Sequence, residues 1–492
     1  MKSLTKFSKM NFKKIFLFTL FSVSINIAAQ KCNCKEEFNW LKETFETNDA
    51  GFKYVIDKKG ETAYQNHNKL FADKAKKVTE LNECRNVLFD WMLFFRPSHL
   101  SIAVNSKPIS KTETGKKAAA ENNWEKIEVT ETELKEITSK IKHPTFEGIW
   151  LSPPYTIGVV KRENQYIGFV LDVKNSKWKQ YQVKFKITEK PDKTYDAVYY
   201  MGDYSAQRFN NVEFIGNNIL KIGFIALKRS FPDNLSDSQE IKDYIELYTA
   251  QKPFLKEISK QTVVLRIPSF DYSNKKIIDS LLTANHNLIT SKDNLIIDVR
   301  NNGGGSDATF QKIIPYLYTN PIRNVGVEYL STVQNNKRML EFMSNPDWSA
   351  EDKEWAKKGF EKLNANIGKF VNLNEQLVTE TKLDVFYKNP KNIAIIINEN
   401  NASTTEQFLL VAKQSKKVKL FGRTTEGVLD ISNMYFVDSP SKNFKLSYSL
   451  TKSFRIPDMQ IDGKGIQPDF YIDRNIPDYQ WTNFTEERLN VN

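Results

Sequence analysis

Two short stretches in the second half of the sequence carry the residue types that acyl-transfer chemistry needs. In NASTTE, Ser403 follows the apolar run NIAIII and precedes a predicted helix. In NNGGGS, Gly303, Gly304 and Gly305 follow the apolar run NLIIDV. A serine hydroxyl attacks a carbonyl when a base takes its proton, and nearby backbone N–H groups stabilise the oxyanion that forms. The two stretches therefore predict a nucleophile and an oxyanion-binding turn.

Ser403 also has a purely structural interpretation. A serine followed three residues later by a glutamate, here Glu406, is the pattern of a capping box at the start of a helix. In that interpretation Glu406 is the partner of the cap. The two roles are compatible, because a serine that opens a helix after a buried strand also displays its hydroxyl at the edge of the sheet.

The glycine-rich turn is the predicted source of oxyanion donors. Successive glycines let the backbone adopt positive φ and approach another group closely. The N–H of Gly303 or Gly304 can then meet that of Thr404 around one oxygen. A plain turn and a nucleotide-binding loop are the alternatives, although neither GxGxxG nor GxxxxGK[ST] occurs in the sequence.

The base has few candidates, because the chain contains four histidines. They are His67, His99, His143 and His286. His67 and His286 lie in polar helical stretches, and His143 precedes a proline in a predicted linker. His99 follows Pro97-Ser98 where a helical pattern gives way to the alternating stretch HLSIAV, so its neighbours fix its position. We therefore predict His99 as the base.

Composition describes an exported globular protein. Hydrophobic content of 40% and charged content of 26% are ordinary for a soluble fold. Residues 1–29 begin with a basic segment and continue with IFLFTLFSVSINIAA, which is too short for a comfortable membrane span and ends in small residues. This pattern predicts a cleaved secretory signal and no stable membrane span. The expected location is periplasmic or secreted, in a bacterium.

The charge distribution and the cysteines indicate which binding partners and which disulfide to expect. The formal charge of +12 includes five lysines in the predicted signal, and subtracting them leaves +7 on scattered lysines. A nucleic-acid groove would need a clustered basic stripe, so no nucleic-acid partner is expected. Cys32 and Cys34 lie near the mature amino terminus, and one of them is expected to pair with Cys84 after export. No metal or cofactor site is predicted, and the oligomeric state is left open.

The elements that must position these residues fall into three regions. Residues 30–143 are mostly helical by their apolar spacing and carry the predicted base. Residues 144–230 read as short alternating strands, which predicts a small all-β module, either a barrel or a sandwich. Residues 245–492 alternate buried strands and helices, with a polar helical insertion at about 320–385 that is a candidate lid.

The order of the motifs resembles that of the carboxyl-terminal processing, or tail-specific, serine peptidases. The motifs are Ser98-His99, LIIDVRNNGGGS, NASTTE, GRTTEG and GKGIQPD, and their order is most similar to the branch typified by the tricorn core protease. The resemblance implies a multidomain α+β protein with a crotonase-like, ClpP-like α/β core. It covers mainly residues 255–475 and the segment around His99.

The resemblance also implies a role for each site residue. The nucleophile of the family falls on Ser403, and the base of the tricorn-like branch falls on His99. Ser98 or Asp462 would orient the imidazole. The implied oxyanion donors are Gly303, Gly304 and Thr404.

Three departures from the family pattern affect these roles. Bacterial tail-specific members use a lysine base in a turn that corresponds here to Thr425-Glu426-Gly427-Val428, and Val428 accepts no proton. Asp462 stands where the family has a glutamate, so its side chain is one methylene shorter. Residues 144–230 do not read as the PDZ domain that many relatives carry.

The sequence therefore predicts an exported serine endopeptidase that cleaves peptide or protein substrates through an acyl-enzyme, without a cofactor. The alternative is a catalytically retired peptidase fold that binds peptides or apolar ligands.

Overall fold

A computed structural model describes residues 31–105, 124–202, 204–346 and 348–491. The predicted signal, residues 1–29, and residues 106–123 lie outside the described residues. In the part that the structure describes, none of the helices has the length and apolar content that crossing a membrane requires.

The elements are numbered in chain order. The α-helices are α1 (Cys34–Asn48), α2 (Phe52–Lys59), α3 (Glu61–Ala75), α4 (Leu81–Met92), α5 (Glu131–Thr138), α6 (Gln239–Thr249), α7 (Lys275–Ala284), α8 (His286–Ser291), α9 (Ile314–Leu317), α10 (Lys337–Ser344), α11 (Ala350–Asn364), α12 (Thr404–Ala412) and α13 (Trp481–Val491). Short 3₁₀ turns lie at Tyr272–Asn274, Asp307–Thr309, Gln311–Ile313 and Asp478–Gln480.

The strands form four sheets. They are β1 (Ser101–Val104), β2 (Gly148–Ser152), β3 (Tyr155–Arg162), β4 (Gln165–Val173), β5 (Val183–Glu189), β6 (Tyr195–Tyr200), β7 (Ala206–Phe209), β8 (Val212–Ile215), β9 (Ile219–Ile222), β10 (Ile225–Phe231), β11 (Phe254–Glu257), β12 (Thr262–Arg266), β13 (Asn294–Asp298), β14 (Ile322–Val325), β15 (Val327–Leu330), β16 (Phe370–Asn372), β17 (Val378–Thr381), β18 (Asn392–Ile397), β19 (Val418–Gly422), β20 (Ile431–Asp438), β21 (Phe444–Ser453) and β22 (Phe470–Tyr471).

The α/β core is a six-stranded sheet in the order β11-β12-β13-β18-β19-β22. All neighbours are parallel except β11, which lies antiparallel on the edge. The residues of β13 are all buried, as expected for a strand covered on both faces. β13 and β18 are adjacent in register, with Asp298 opposite Ile396, so the turns that follow them meet at one edge of the sheet.

A second sheet is built around β21. β1 and β15 pair with different parts of one edge of β21, and β20 pairs with the other edge. β1 comes from the amino-terminal region, where Ser101 pairs with Ser447 of β21. This pairing carries the segment that begins at His99 into the carboxyl-terminal half of the molecule.

The amino-terminal helices share their core with the second sheet. Side chains of α1 and α4, including Phe45 and Trp91, are buried in one cluster with Leu446 and Tyr448 of β21. The helical region is thus continuous with the second sheet. A disulfide joins Cys34 to Cys84, while Cys32 is free, in agreement with the expected bridge to Cys84.

The β-module is one nine-stranded antiparallel sheet in the order β7-β6-β5-β4-β3-β2-β10-β9-β8. Strands from both halves of the sheet contribute to one core, for example Tyr199 of β6 and Leu220 of β9. α5 packs on the same sheet, because Leu134 is buried against Ile149 and Phe169. In the structure α5, which lies within the predicted helical region 30–143, thus packs with this module.

The insertion at about 320–385 is anchored on the second sheet. β15 pairs with β21, and the amide of Asn335 donates to the carbonyl of Asn48 in α1 at 2.9 Å. The Tyr448 hydroxyl donates to the side-chain carbonyl of Asn335 at 3.0 Å. These contacts hold the insertion against α1 and β21.

Candidate active site

Ser403 occupies a sharp turn between β18 and α12. Its backbone lies at φ 57° and ψ −124°, a region that a residue with a side chain seldom adopts. Its N–H donates to the carbonyl of Val428 at 2.9 Å, which fixes the turn from outside. Among the described residues, none forms a hydrogen bond with the Ser403 hydroxyl, and the side chain is half-buried.

The predicted capping box is wrong. Ser403 precedes α12, but its side chain makes no capping hydrogen bond, because a capping serine needs an extended backbone that this turn does not have. Glu406 is fully buried. Its carboxylate accepts from the N–H groups of Gly427 and Val428, both at 2.8 Å, and from the hydroxyl of Thr425. Burial raises the pKa of Glu406, while these hydrogen bonds oppose the rise.

A set of asparagines joins the serine turn to the glycine turn. The buried amide of Asn401 donates to the carbonyls of Val299 and Asn302, at 2.5 and 3.1 Å. Asn398 exchanges two hydrogen bonds with Asn301, one to its N–H and one to its side chain, at 2.9 and 2.8 Å. These contacts set the position of the nucleophile candidate relative to the oxyanion donors, because they tie together the two loops at the edge of the sheet.

The glycine turn lies directly against Ser403. Gly304 has φ +107°, and a Cβ added there would lie 2.9 Å from the Cβ of Ser403 and 3.0 Å from the N of Thr404. The N–H of Gly304 already donates to the Asn302 side chain at 3.0 Å. In the described part of the chain, the N–H groups of Gly303 and Thr404 have no acceptor. Of the three expected oxyanion donors, Gly303 and Thr404 are therefore the ones that remain open.

His99 is held by backbone contacts just before β1. It has φ 54°, and its carbonyl accepts from Arg96 Nη2 at 2.9 Å and from the Ser449 hydroxyl at 3.1 Å. Nδ1 lies 2.7 Å from the carbonyl oxygen of Ile431. A carbonyl oxygen only accepts, so Nδ1 carries the proton and Nε2 is the nitrogen that can accept another.

The surroundings of His99 favour the neutral imidazole. Burial lowers the pKa of His99 below its ordinary value, and the positive charge of Arg96 lowers it further. The hydrogen bond to Ile431 and the negative charges of Asp462 and Glu426 oppose the lowering of this pKa. A histidine with a lowered pKa is unprotonated near neutral pH, as a general base must be.

One segment, residues 425–431, contacts both Ser403 and His99; we refer to it as the linking segment. The Val428 carbonyl accepts from the N–H of Ser403, and the Ile431 carbonyl faces the His99 ring. Val428 and Ile431 are three residues apart, which spans at most about 11 Å, so the two candidates contact neighbouring parts of one loop. Among the described residues there is no direct hydrogen bond between the His99 ring and the Ser403 hydroxyl.

Asp462 orients the linking segment, and the structure gives it no hydrogen bond to His99 within the described residues. Its carboxylate accepts from the N–H groups of Leu429 and Asp430, each at 2.6 Å, and of Ile431 at 3.2 Å. Burial raises the pKa of Asp462. Asp462 is thus linked to His99 through the backbone of Ile431, whose N–H it binds and whose carbonyl faces the ring, and the sequence-based expectation of a direct contact has no counterpart in these hydrogen bonds.

Ser98 also has a different partner from the expected one. Its hydroxyl donates to Glu426 at 2.7 Å, and Glu426 belongs to the linking segment. Val428 is buried at the place where bacterial members would have lysine. Asp298 and Arg300 form a buried ion pair at 2.6 Å beside the glycine turn. In the ranges that the structure describes, no three His, Cys, Asp or Glu side chains converge as metal ligands would.

Sequence reasoning missed three contributors to this site. The asparagines of the two turns had a visible signal in the runs RNN and NENN, whose amides suit tight turns. Glu406 was recognised in the sequence, but as the partner of a helix cap and not of residues 425–428. The Ile431 carbonyl had none, because every residue carries the same group.

Comparison with known proteins gives a family-model match over part of the chain and a similar overall fold. Residues 261–472 match the family model described as peptidase family S41. Mature CPAF superposes with a TM-score of 0.52 at 12% identity, covering 93% of this chain and 96% of that one. Mature CPAF complexed with lactacystin gives 0.50 at 11% identity, covering 93% and 98%. At these identities the similarity shows the fold alone.

The expected resemblance to tail-specific peptidases and the expected α+β fold class are confirmed. The tricorn protease has a TM-score of 0.42 at 11% identity, covering 93% of this chain and 36% of that one. That value is too low to carry an argument, so the tricorn-like branch stays a prediction. No curated protein sequence matches the chain.

Proposed function

Because residues 261–472 match the model of peptidase family S41, a family of serine peptidases, we propose that the protein is an exported serine endopeptidase with Ser403 as nucleophile and His99 as base. Its substrates are peptides or proteins, as the family implies. The single observation that carries the Ser–His assignment is the linking segment. Two of its carbonyl groups, those of Val428 and Ile431, hold the backbone of Ser403 and the ring of His99.

In the proposed mechanism His99 Nε2 takes the proton of the Ser403 hydroxyl as its oxygen attacks the scissile carbonyl carbon. Nδ1 stays protonated against the Ile431 carbonyl, so the imidazolium has a fixed acceptor on its other side. The N–H groups of Gly303 and Thr404 stabilise the tetrahedral oxyanion. Nε2 then returns the proton to the leaving amine, and water repeats the sequence on the acyl-enzyme.

In the described residues His99 and Ser403 form no hydrogen bond. The mechanism therefore requires a small movement that brings the His99 ring and the Ser403 hydroxyl together. Catalytic hydrogen bonds in free enzymes are often long and tighten only with substrate bound. The linking segment is the element that would move, since it contacts both residues. Asp462 and Ser98 act on this segment in the proposal, so they position His99 without touching the reacting atoms.

A labelling experiment tests the assignment. A fluorophosphonate should tag the wild-type protein but neither Ser403→Ala nor His99→Ala, while Ser291→Ala on α8 serves as the matched serine control. Peptide cleavage should follow the same pattern. Labelling that persists in Ser403→Ala would show that another residue is the nucleophile.

The second candidate function is a retired peptidase fold that binds peptides without cutting them. The missing contact between the His99 ring and the Ser403 hydroxyl, within the described residues, is the observation that favours it. A folded wild-type protein that binds peptides but is neither labelled nor active would support this alternative.

Export is the remaining part of the proposal. The disulfide between Cys34 and Cys84 supports it, because such bridges form and persist in oxidising compartments. Cell fractionation with detection of the mature amino terminus tests it. Recovery of the full-length chain in the cytoplasm, with the thiols reduced, would contradict it.

A further inference from the structure

A cleft of about 490 Å³ opens on the surface beside α7. Its walls include Lys275 and Lys276 at the start of α7, Lys312 from the 3₁₀ turn that follows the glycine turn, and the exposed ring of Tyr272. The cleft is therefore built by segments that come before and after the catalytic glycine turn.

The charges in this cleft are not balanced. Asp279 is the acidic side chain of its lining, and Asp279 is already paired with Lys275 at 2.6 Å. Within the described residues, Lys276 and Lys312 have neither a salt bridge nor a hydrogen bond. The Ser280 hydroxyl, which also lines the cleft, is likewise without a partner in that part of the chain. The surface thus offers two cations and a hydroxyl donor next to an aromatic wall.

The cleft is connected to the nucleophile candidate through backbone contacts. Phe270 pairs with Gly305: its N–H donates to the carbonyl of Gly304, and its carbonyl accepts from Ser306. Gly304 in turn abuts Ser403. Tyr272 follows Phe270 by two residues, so the distance from Ser403 to the cleft is on the order of three to five residues of extended chain.

From this arrangement we propose that the α7 cleft is a substrate subsite that binds a carboxylate of the polypeptide being cleaved. This inference rests on the proposed peptidase function and adds a substrate class, namely polypeptides with an acidic group about three to five residues from the scissile bond. Lys276 and Lys312 supply the opposite charge, and the hydroxyl of Ser280 supplies a further donor. A carboxylate accepts such hydrogen bonds readily when it is ionised.

The carboxylate has two sources, an acidic side chain or the carboxyl terminus of the substrate. A set of fluorogenic peptides separates them. One series moves a single Glu through positions two to six residues from the cleaved bond, with Gln in the matched peptides. A second series keeps the sequence constant and compares a free with an amidated carboxyl terminus. We expect KM to be about 3- to 10-fold lower for the peptide with the correctly placed carboxylate, as for two exposed charge pairs.

Variants of the two lysines provide the decisive comparison. Lys276→Gln/Lys312→Gln should remove the preference for the carboxylate, so that the acidic and the matched neutral peptide are cleaved with the same kcat/KM. Lys276→Glu/Lys312→Glu should reverse the preference toward peptides that carry Lys at the same position. The control Lys357→Gln/Lys362→Gln changes the net charge equally at exposed positions of α11 that do not line the cleft and should behave as wild type.

Binding to Ser403→Ala, followed by fluorescence anisotropy, keeps this test separate from the proposed chemistry. If the wild-type protein cleaves peptides but neither peptide series shows a preference, or if the glutamate variant does not reverse it, the subsite proposal is overturned and the peptidase proposal stands. If no peptide is cleaved and anisotropy still shows lysine-dependent binding of the acidic peptide, the cleft proposal survives and the peptidase function fails.

Discussion

His99 Nδ1 lies 2.7 Å from the carbonyl oxygen of Ile431, a residue 332 positions further along the chain. The N–H of Ile431 is itself bound by the Asp462 carboxylate at 3.2 Å. In the serine protease triad a carboxylate contacts the imidazole directly. Here the backbone of Ile431 lies between them, its N–H facing the carboxylate and its carbonyl facing the ring, so the carboxylate acts on the ring through the orientation of the backbone.

The activity profile should follow the lowered pKa of His99. Burial disfavours the imidazolium, so we expect the acid limb of kcat/KM to have its midpoint below about 6.5. Activity is then lost as the pH falls through this pKa, since protonated Nε2 accepts no proton from Ser403. Glu426→Gln should move the midpoint to lower pH, because Glu426 stabilises the charged ring.

The control for the pH profile is Glu399→Gln, which removes an exposed carboxylate from the loop after β18. It should leave the midpoint unchanged. A midpoint above about 6.5 in the wild-type protein, the ordinary pKa of histidine, would contradict the assignment of the acid limb to His99. The measurement needs a substrate that does not itself gain or lose a proton in this pH range.

Substitution by alanine should have different effects at two adjacent glycines, a loss at Gly304 and little change at Gly303. At Gly304 a Cβ would lie 2.9 Å from the carbonyl oxygen of Ala402, and φ is +107°. Gly304→Ala should therefore cost about 1–3 kcal/mol of unfolding free energy and lower kcat/KM by about 100-fold or more, as for a disturbed oxyanion site. At Gly303 a Cβ meets nothing within 4 Å, so Gly303→Ala should stay near wild type in melting temperature.

Calorimetry and steady-state kinetics on both glycine variants check this pair. Equal losses at Gly303 and Gly304 would show that the turn is sensitive to any side chain, and not to the close approach of Gly304 to Ser403.

Glu406 should be needed to hold the linking segment. Three donors face its carboxylate, and in Glu406→Gln the amide nitrogen takes the place of one accepting oxygen. At least one buried donor then loses its partner, at a cost of about 1–3 kcal/mol. Because the same segment binds the N–H of Ser403, we expect kcat to fall more than KM rises.

Chemical denaturation and kinetics of Glu406→Gln measure the two effects. Glu399→Gln, with its exposed carboxylate, is the reference for the loss of one negative charge. A Glu406→Gln protein with wild-type kcat would show that the contact does not position Ser403.

The disulfide should stabilise the region that delivers His99. Cys34 and Cys84 have a sequence separation of 50. A loop of this length predicts about 4 kcal/mol of stabilisation. Cys34→Ser/Cys84→Ser should lose about 4 kcal/mol of unfolding free energy and therefore unfold at a lower denaturant concentration. The helices bury Phe45 and Trp91 against β21. Activity should therefore be lost together with the near-ultraviolet circular dichroism to which Trp91 contributes.

Cys32→Ser is the matched control for the disulfide, because Cys32 is the free cysteine among the described residues. It should change the midpoint of unfolding little. If the double variant lost structure while keeping full cleavage activity, the amino-terminal helices would not be the support of the base.

Local sequence patterns were sufficient for the elements of the α/β core. The apolar runs NLIID and NIAIII become the buried strands β13 and β18, because a strand covered on both faces has nothing but apolar neighbours. The glycine run gives a positive φ at Gly304, and Ser403 stands immediately before a helix. These features depend on backbone preferences and burial over a few residues, which the sequence states directly.

Interactions between segments that are distant in the sequence were visible only in the tertiary structure. The pattern Ser403-x-x-Glu406 indicates a cap by its local spacing, yet Glu406 binds residues 425–428 because the loop folds over the start of α12. The contact of His99 with Ile431 depends on β1 pairing with β21. A backbone carbonyl carries no sequence signal, so only packing decides which one meets the imidazole.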